Sequence, residues 1–220
     1  SGGSNSSKGT LDFFNALGYF LTNGYGATEL GITSVNTSKH PQIGSVGKPF
    51  NGILYSIKDK KLFVKSKAMC DYQIVNSNKI KIDKNSWFDT NDLASLKKKQ
   101  YFINGRNDNL IVLPNGENIC PEQIEKMLYI PGINIALGPS TINNKKSSIL
   151  IVQIPPYSTK DKALLIKDKI FKMIVDQKLE PQINDVKFTL NNLLNDNEFK
   201  INHLKLKRDI ENNKITLMNH

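Results

Sequence analysis

The stretch YFINGRNDNLIVLPNGENICPEQIE, residues 101–125, decides how this chain is interpreted. It predicts a strand, a Gly-Arg corner with polar residues, a short apolar strand and a Pro-Asn-Gly turn, because an Asn-Gly pair favours positive φ angles. Pro121, followed by an acidic residue, is a typical helix start. A plain connector between sheet segments would need neither Arg106 nor Asp108, so the rest of the chain must explain them.

Before this stretch, short apolar runs alternate with turns, which predicts a small distorted β-barrel or sheet. ILYSIKD and KLFVKS flank Asp59-Lys60 as in a hairpin, and the lysines at 97–99 predict a second turn. At the start of the chain, apolar side chains at helical spacing predict a helix over residues 9–22, ended by Asn23-Gly24.

After Gly105 the pattern changes to alternating helices and strands, which indicates an α/β unit. We expect helix 121–129, strands 133–137 and 148–154, helix 159–178, strand 185–190 and a short last helix over 205–210. The long helix should turn one apolar face inward, formed by Leu164, Ile166, Ile170, Phe171, Ile174 and Val175. The predicted fold class is therefore α+β. Residues 1–104 form the first domain and residues 105–220 a compact α/β C-terminal lid domain, with the boundary near 104–108.

The composition is that of a globular protein with excess positive charge. The 220 residues are 39% hydrophobic, and 30 Lys and Arg against 20 Asp and Glu give a net charge of +10. Such a balance attracts the phosphates of nucleotides, CoA or nucleic acid. A nucleic-acid-binding module ranks last, since no interleaving of aromatic and basic residues supports it. Two cysteines without CxxC spacing, no signal peptide and no membrane-length apolar run make the cytoplasm the expected compartment.

Three loops and the basic tail FKINHLKLKRD concentrate residue types that chemistry uses. GYGATE, residues 24–29, combines glycines that let a backbone approach a ligand with an aromatic face, a hydroxyl and a carboxylate. WFDTND, residues 87–92, ends in Asp92, a candidate sugar-binding carboxylate. The third loop lies in the opening stretch. Taken singly, these are more often a structural turn, a capping residue and a solvated lysine face.

In this order, the motifs resemble those of the adenylate-forming superfamily, which includes acyl-CoA synthetases, luciferase and the adenylation domains of peptide synthetases. NGYGATE is similar to Y-G-x-T-E, and SWFDTNDLA to W-x-x-T-G-D with Asn91 in place of Gly. Residues 101–125 are similar to G-R-x-x-x-x-I…G-x-x-I-x-P-x-E-I-E, and GSVGKPF to G-x-x-G-x-P. LKLKRDI is similar to G-K-I-x-R, with Leu204 in place of Gly. The resemblance covers nearly the whole chain and is nearest to the long-chain fatty acyl-CoA synthetases.

The resemblance implies a nucleotide site in the GYGATE loop. Gly24 and Gly26 would line the nucleotide, and Tyr25 would stack on adenine. Thr28 would bond the α-phosphate, while Glu29 would hold Mg²⁺ beside it.

The remaining motifs imply ribose contacts, a hinge and a catalytic lysine. Asp92 would accept both ribose hydroxyls, and Arg106 would contact the ribose or a phosphate. Asp108 would be the hinge of a rotating C-terminal domain. Lys205 would bridge the substrate carboxylate and phosphate oxygens during adenylation. Two neighbouring lysines compete for this alignment: Lys200 and Lys207. Glu125 is interpreted as a structural helix residue that pairs locally, and His203 as no part of a metal site.

The implied reaction has two halves and uses ATP, Mg²⁺ and CoA. A carboxylic acid, here a fatty acid, attacks the α-phosphorus of ATP to give an acyl-adenylate and pyrophosphate. A thiol of CoA then forms a thioester and releases AMP.

Other features suggest a fragment of such a ligase. Gly2-Gly3 resembles the family's turn beside the acyl pocket. The family's phosphate loop has no counterpart in this sequence. The chain is therefore predicted to be the C-terminal portion of a longer enzyme, inactive without its N-terminal portion. Two alternatives stay open: a ligase that loads a carrier protein, and a non-catalytic nucleotide-binding remnant disabled by Asn91 and Leu204.

Overall fold

The computed structural model describes residues 8–38, 42–75, 77–142, 145–194 and 201–218. The chain divides into two compact units, residues 1–107 and 108–220. Helices and strands occur in both units, which confirms the mixed α and β class; the barrel and the lid remain predictions. Within the described ranges, no helix has the length and apolar character needed to cross a membrane.

The first unit is mostly antiparallel sheet. Its described residues form helix α1 (Lys8–Ala16) and three sheets. The first sheet contains β1 (Gly24–Ala27), β2 (Gly31–Val35) and β3 (Lys48–Pro49). The second has the order β4 (Ile53–Lys58), β5 (Lys61–Ser66), β8 (Phe88–Lys97), β9 (Gln100–Arg106). The third is the hairpin of β6 (Tyr72–Val75) and β7 (Asn78–Lys81).

Both predicted turns in the four-stranded sheet are confirmed. Asp59 and Lys60, between β4 and β5, have φ angles of 50° and 65°. Lys98 and Lys99, between β8 and β9, have φ angles of 47° and 62°. Two consecutive positive φ angles match the right-handed twist of the flanking strands. These turns fix the strand register that positions the candidate site.

The first helix is shorter than predicted. It ends at Ala16 rather than near residue 22, because Gly18 adopts a φ of 85°. Gly18 donates to the carbonyl of Asn15 at 3.0 Å, and Tyr19 donates to that of Phe14 at 3.0 Å. This is the bonding pattern of a glycine-terminated helix. The apolar run beyond Ala16 therefore follows the helix instead of extending it.

The second unit alternates strands and helices. Its elements follow a 3-10 turn at Asn107–Asn109: β10 (Ile111–Val112), β11 (Asn118–Ile119), α2 (Pro121–Met127), β12 (Ile135–Ile142), β13 (Lys145–Gln153), α3 (Lys160–Asp176), β14 (Asp185–Thr189) and α4 (His203–Glu211). Strand β13 pairs antiparallel with β12 and parallel with β14, so α3 is the crossover helix between parallel strands. The predicted helix start at Pro121 is confirmed, and Gly116 has the expected positive φ, 82°.

The buried face of α3 differs from the prediction. Ile166, Ile170 and Ile174 are buried, as expected. Leu164 and Val175 are instead 58% and 59% exposed. The core-facing stripe follows the i, i+4 series of the three isoleucines, and it is completed by Ala163, Phe171 and Met173. Leu164 and Val175 lie outside that stripe, about three turns apart on the exposed side of the helix.

Candidate functional site

Strands β8 and β9 bring Asp92 and Arg106 side by side. The two residues are Cα partners in the antiparallel ladder, and Arg106 Nη1 lies 3.4 Å from Asp92 Oδ1. The same nitrogen donates to the carbonyl of Thr90 at 3.4 Å. The Arg106 side chain is 45% exposed and that of Asp92 only 12%. The pair therefore joins a shielded carboxylate to a cation that faces solvent.

Tyr25, from β1, completes this cluster. Its hydroxyl donates to Asp92 Oδ2 at 2.5 Å, across 67 residues of sequence. Tyr25 is buried, and burial, followed by the charge of Asp92, raises the pKa of the hydroxyl well above its usual range. The hydroxyl therefore stays protonated and acts as a permanent donor to the carboxylate. We name Tyr25, Asp92 and Arg106 the carboxylate cluster.

Aromatic rings and a hydroxyl support Tyr25 from behind. The Tyr55 ring makes edge-on contacts with Tyr25 and Tyr101, at centroid distances of 6.3 and 5.0 Å. Thr33 Oγ1 donates to the carbonyl of Tyr25 at 3.1 Å and shares a hydrogen bond with the Tyr55 hydroxyl. These contacts fix the Tyr25 ring. No sequence pattern pointed to Thr33, Tyr55 or Tyr101, because their proximity depends on strand packing.

Asn91 allows the bend that presents Asp92. It has a φ of 59°, a left-handed angle that Asn tolerates, at the position where the motif of the adenylate-forming superfamily has Gly. The Asn91 N–H donates to Asp89 Oδ1 at 2.8 Å, and the Asp92 N–H donates to Thr90 Oγ1 at 3.2 Å. Thr90 Oγ1 in turn donates to the Leu62 carbonyl at 2.8 Å. The backbone is thus held at Asp92 and in the three residues before it.

The GYGATE loop lies partly in β1 and partly in the turn that follows. Gly24 and Gly26 are strand residues, whereas Thr28 and Glu29 lie in the turn, the former exposed and the latter half-buried. A Cβ atom on Gly26 would lie 2.3 Å from the carbonyl oxygen of Gly31. Gly26 therefore serves a close backbone approach between β1 and β2. The roles of these residues toward a nucleotide stay predictions.

Lys205 lies in the first turn of α4, in the second unit. Asn202 caps this helix by accepting the Lys205 N–H at 3.1 Å. The exposed Lys205 side chain lines a polar cavity of about 180 Å³ together with Asp209 and Lys214. Leu204 lies within the right-handed helix, where glycine is not required.

The other predicted site residues are not part of the carboxylate cluster. Asp108 is an exposed residue of the 3-10 turn and the first residue of the second unit. Gly2 and Gly3 lie outside the described residues. The structure thus brings Tyr25, Asp92 and Arg106 together in the first unit, whereas Lys205 belongs to the second.

Glu125 does not pair locally, and that prediction is wrong. Its Oε2 lies 3.3 Å from Nε2 of His203 at the start of α4. Its Oε1 accepts the N–H of Leu137 at 2.8 Å. The local partner expected on α2 is replaced by a residue 78 positions away, because α2 and α4 both lie against β12. Sequence spacing carries no signal for such a contact.

Curated proteins of known activity are similar to this chain in sequence. The chain is 24% identical to a chloroplastic long-chain fatty acid–acyl carrier protein ligase of Arabidopsis thaliana, over 90% of this chain and 32% of that protein. It is 28% identical to a long-chain fatty acid–CoA ligase of Mycobacterium bovis, over 53% of this chain and 20% of that protein. No protein-family model matches the chain.

A solved structure shows the same fold. The anthranilate CoA ligase AuaEII, bound to anthranoyl-AMP, superposes with a TM-score of 0.74 at 17% identity, over 96% of this chain and 45% of that one. The chain spans about a third or less of the two curated relatives named above. It is thus a homologue of long-chain fatty acid ligases and acyl-activating enzymes, with the fold of part of an adenylate-forming ligase.

Proposed function

We propose that the chain is part of an ATP-dependent carboxylate–thiol ligase, which forms an acyl-adenylate and then an acyl thioester. The first unit would contribute the ribose contacts of the nucleotide site, and the second unit the lysine of the adenylation step. Two relatives support this proposal, since both are ligases of long-chain fatty acids. A fatty acid is accordingly the proposed substrate.

The observation that carries the proposal is the carboxylate cluster. Asp92 accepts a hydrogen bond from Tyr25 on one oxygen and contacts Arg106 through the other. A carboxylate is an acceptor-only group, which suits two neighbouring donors such as the 2′- and 3′-hydroxyls of a ribose. The half-exposed guanidinium of Arg106 adds a fixed positive charge for a ribose or phosphate oxygen.

Thr28 and Glu29 would serve the phosphate end of the nucleotide. Mg²⁺ is commonly held by one or two carboxylates together with substrate phosphates, so the single carboxylate of Glu29 beside the Thr28 hydroxyl fits this ion. When bound, the ion would neutralise charge on the phosphates. Thr28 would donate a hydrogen bond to the α-phosphate.

Lys205 would stabilise the negative charge that develops during adenylation. Its ammonium would contact the attacking carboxylate and the α-phosphate. Removal of one preorganised donor of this kind typically costs a factor of about 10² to 10³ in rate. We further propose that residues 105–220 rotate about Asp108 between the two half-reactions, since a few residues at the end of an element can absorb such a change.

Two observations disfavour a non-catalytic remnant. The two substitutions that could disable the site are Asn91 and Leu204, both at positions where the family motif has Gly. Asn91 adopts the positive φ that the bend needs, and Leu204 occupies a helix that has no need of Gly. Neither substitution therefore strains the local backbone of this chain. The acceptor thiol is CoA or a carrier protein, since the relatives include ligases of both kinds.

Discrimination between sugars tests the ribose assignment. Binding of AMP and of 2′,3′-dideoxy-AMP would be measured by calorimetry, on the full-length product of the gene and on Asp92→Asn. The wild type should prefer AMP about 10-fold or more, because two hydroxyl bonds to a carboxylate are lost with the dideoxy analogue. The variant should lose most of this preference. Equal binding of both nucleotides by the wild type would overturn the assignment.

A further inference from the structure

A buried ion pair joins two helices of the second unit, and the proposed reaction does not use it directly. Glu125 on α2 and His203 on α4 approach to 3.3 Å, and their side chains are only 16% and 9% exposed. A surface pair of this kind would contribute little. When such a pair is shielded from water, removal of either partner leaves the other charge buried and unpaired.

The Glu125 carboxylate connects three elements. One oxygen contacts His203 of α4, and the other accepts the N–H of Leu137 in β12. Through these two contacts, α2, β12 and α4 meet in one polar junction.

The rest of α4 is held by apolar contacts. Leu206 is 5% exposed and packs in a cluster with Ala136, Ile149 and Ile151. The first turn of α4, by contrast, is held by the Asn202 cap and by the His203–Glu125 pair. The polar junction thus controls the end of the helix that carries Lys205.

The helix geometry couples His203 to Lys205. Residues two positions apart on a helix point to nearly opposite sides. His203 is directed into the unit, whereas Lys205 is exposed and lines the polar cavity. As long as His203 is held inward, Lys205 must point outward into that cavity.

We propose that His203 is a positioning residue for Lys205, and that the charge on its imidazole, through Glu125, sets how firmly the first turn of α4 is held. This inference rests on the proposed function only for the catalytic role of Lys205. When protonated, His203 carries the positive charge that completes the ion pair with Glu125. When neutral, it retains one N–H donor and no charge.

The electrostatics give the direction of the pH dependence. Burial alone would lower the pKa of His203, but the hydrogen bond and charge of Glu125, assisted by Glu122, outweigh it and raise that pKa above 6.5. Both acids lie on α2, and Glu125 contacts the ring. Strand β12 carries no charged side chain, and the two lysines that follow His203 on α4, Lys205 and Lys207, are exposed. Since the folded pKa is raised, the stabilisation is complete below pH 6.5 and is lost as pH rises through the folded value.

Hydrogen exchange on the 220-residue chain tests the positioning. The Leu206 amide reports on the first turn, because it donates to the carbonyl of Asn202 at 2.8 Å. After correction for intrinsic exchange, its protection should fall about 10-fold between pH 5.5 and pH 9, the factor expected for loss of a charge-assisted bond. Glu125→Gln should show the low protection at every pH.

Two further variants separate positioning by charge from simple packing. His203→Arg keeps a cation opposite Glu125, so protection should stay high and become independent of pH. Glu180→Gln, which removes an exposed acid of the same unit, should behave as the wild type. Equal protection in the wild type and Glu125→Gln across the pH range would overturn the proposal.

Activity assays on the full-length protein connect the pair to Lys205. His203→Gln should lower the kcat of fatty-acid-dependent ATP–pyrophosphate exchange about 10-fold and leave nucleotide affinity unchanged. The kcat of the wild type should decline as pH rises, and that of His203→Gln should not. An unchanged kcat with altered Leu206 protection would overturn the link to Lys205. Absence of ATP–pyrophosphate exchange in the wild type would instead refute the proposed function. The hydrogen-exchange result for Leu206 would still stand.

Discussion

Removal of the Asp92 carboxylate should destabilise the first unit, because Tyr25 and Arg106 each lose a contact. In Asp92→Ala, the buried hydroxyl of Tyr25 loses its acceptor, and an unsatisfied buried donor costs about 1–3 kcal/mol. The Arg106 contact is long and half exposed, so its loss adds at most about 1 kcal/mol. We therefore expect a total loss of about 1–4 kcal/mol.

Two variants resolve the contributions. Asp92→Asn keeps an oxygen that can accept from Tyr25, so it should cost about 1 kcal/mol, mainly from the lost charge. Tyr25→Phe removes the donor, and its effect should not add to that of Asp92→Ala. The double variant should therefore show a coupling energy of about 1 kcal/mol or more.

The free energy of unfolding can be measured by urea denaturation, with tryptophan fluorescence as the probe. Trp87 is the only tryptophan of the chain and lies in the first unit. Asp59→Asn is the matched control: Asp59 is an exposed acid with a φ of 50° in the β4–β5 turn, and Asn tolerates such angles. The control should change the free energy of unfolding by less than about 0.5 kcal/mol. If Asp92→Ala changed it by no more than the control, the Tyr25–Asp92 bond would not exist as described.

Three further outcomes are expected. Asn91→Ala should destabilise the first unit by about 1 kcal/mol, because Ala is strained at a φ of 59°, while Asn91→Gly should be near neutral in the same denaturation assay. Burial, followed by the charge of Glu122, raises the pKa of Cys120 from 9.0 to about 12. At pH 8 the thiolate fraction of Cys120 should be about 1000-fold lower than that of a thiol with a pKa of 9.0. Iodoacetamide should therefore label the half-buried Cys70 first. Ile170→Ala, in the core, should cost about 2–5 kcal/mol, whereas Leu164→Ala, on the exposed side of the same helix, should cost less than about 0.5 kcal/mol by calorimetry.

The residues of the carboxylate cluster could be chosen from the sequence, but their contacts could not. Motif order pointed to Tyr25, Asp92 and Arg106, which are separated by up to 81 positions. The ladder between β8 and β9 makes Asp92 and Arg106 neighbours. The Tyr25 hydrogen bond depends on how β1 lies against the four-stranded sheet, and no local pattern encodes that distance.

Local turn chemistry was predicted well where one residue type decides the backbone. The φ angles of Asn91, Asp59 and Lys60 follow from steric rules that act within a few residues. The end of α1 was predicted too late, since the apolar run across Gly18 suggested a longer helix than this glycine allows.

The buried face of α3 and the contacts between residues far apart in sequence were harder to predict. Several apolar residues of α3 fit more than one helical stripe, so tertiary packing had to decide that Leu164 and Val175 are exposed. The Glu125–His203 pair spans two helices and 78 positions. Only the placement of both helices against β12 reveals it.

Fatty-acid-dependent ATP–pyrophosphate exchange tests the central claim most directly. The full-length product of the gene should exchange pyrophosphate in the presence of a long-chain fatty acid, and Lys205→Ala should lower this rate by about 10² to 10³. Asp92→Asn should raise the KM for ATP. The 220 residues alone should show no exchange. Absence of exchange with every acid tested, or a Lys205→Ala rate equal to that of the wild type, would contradict the account.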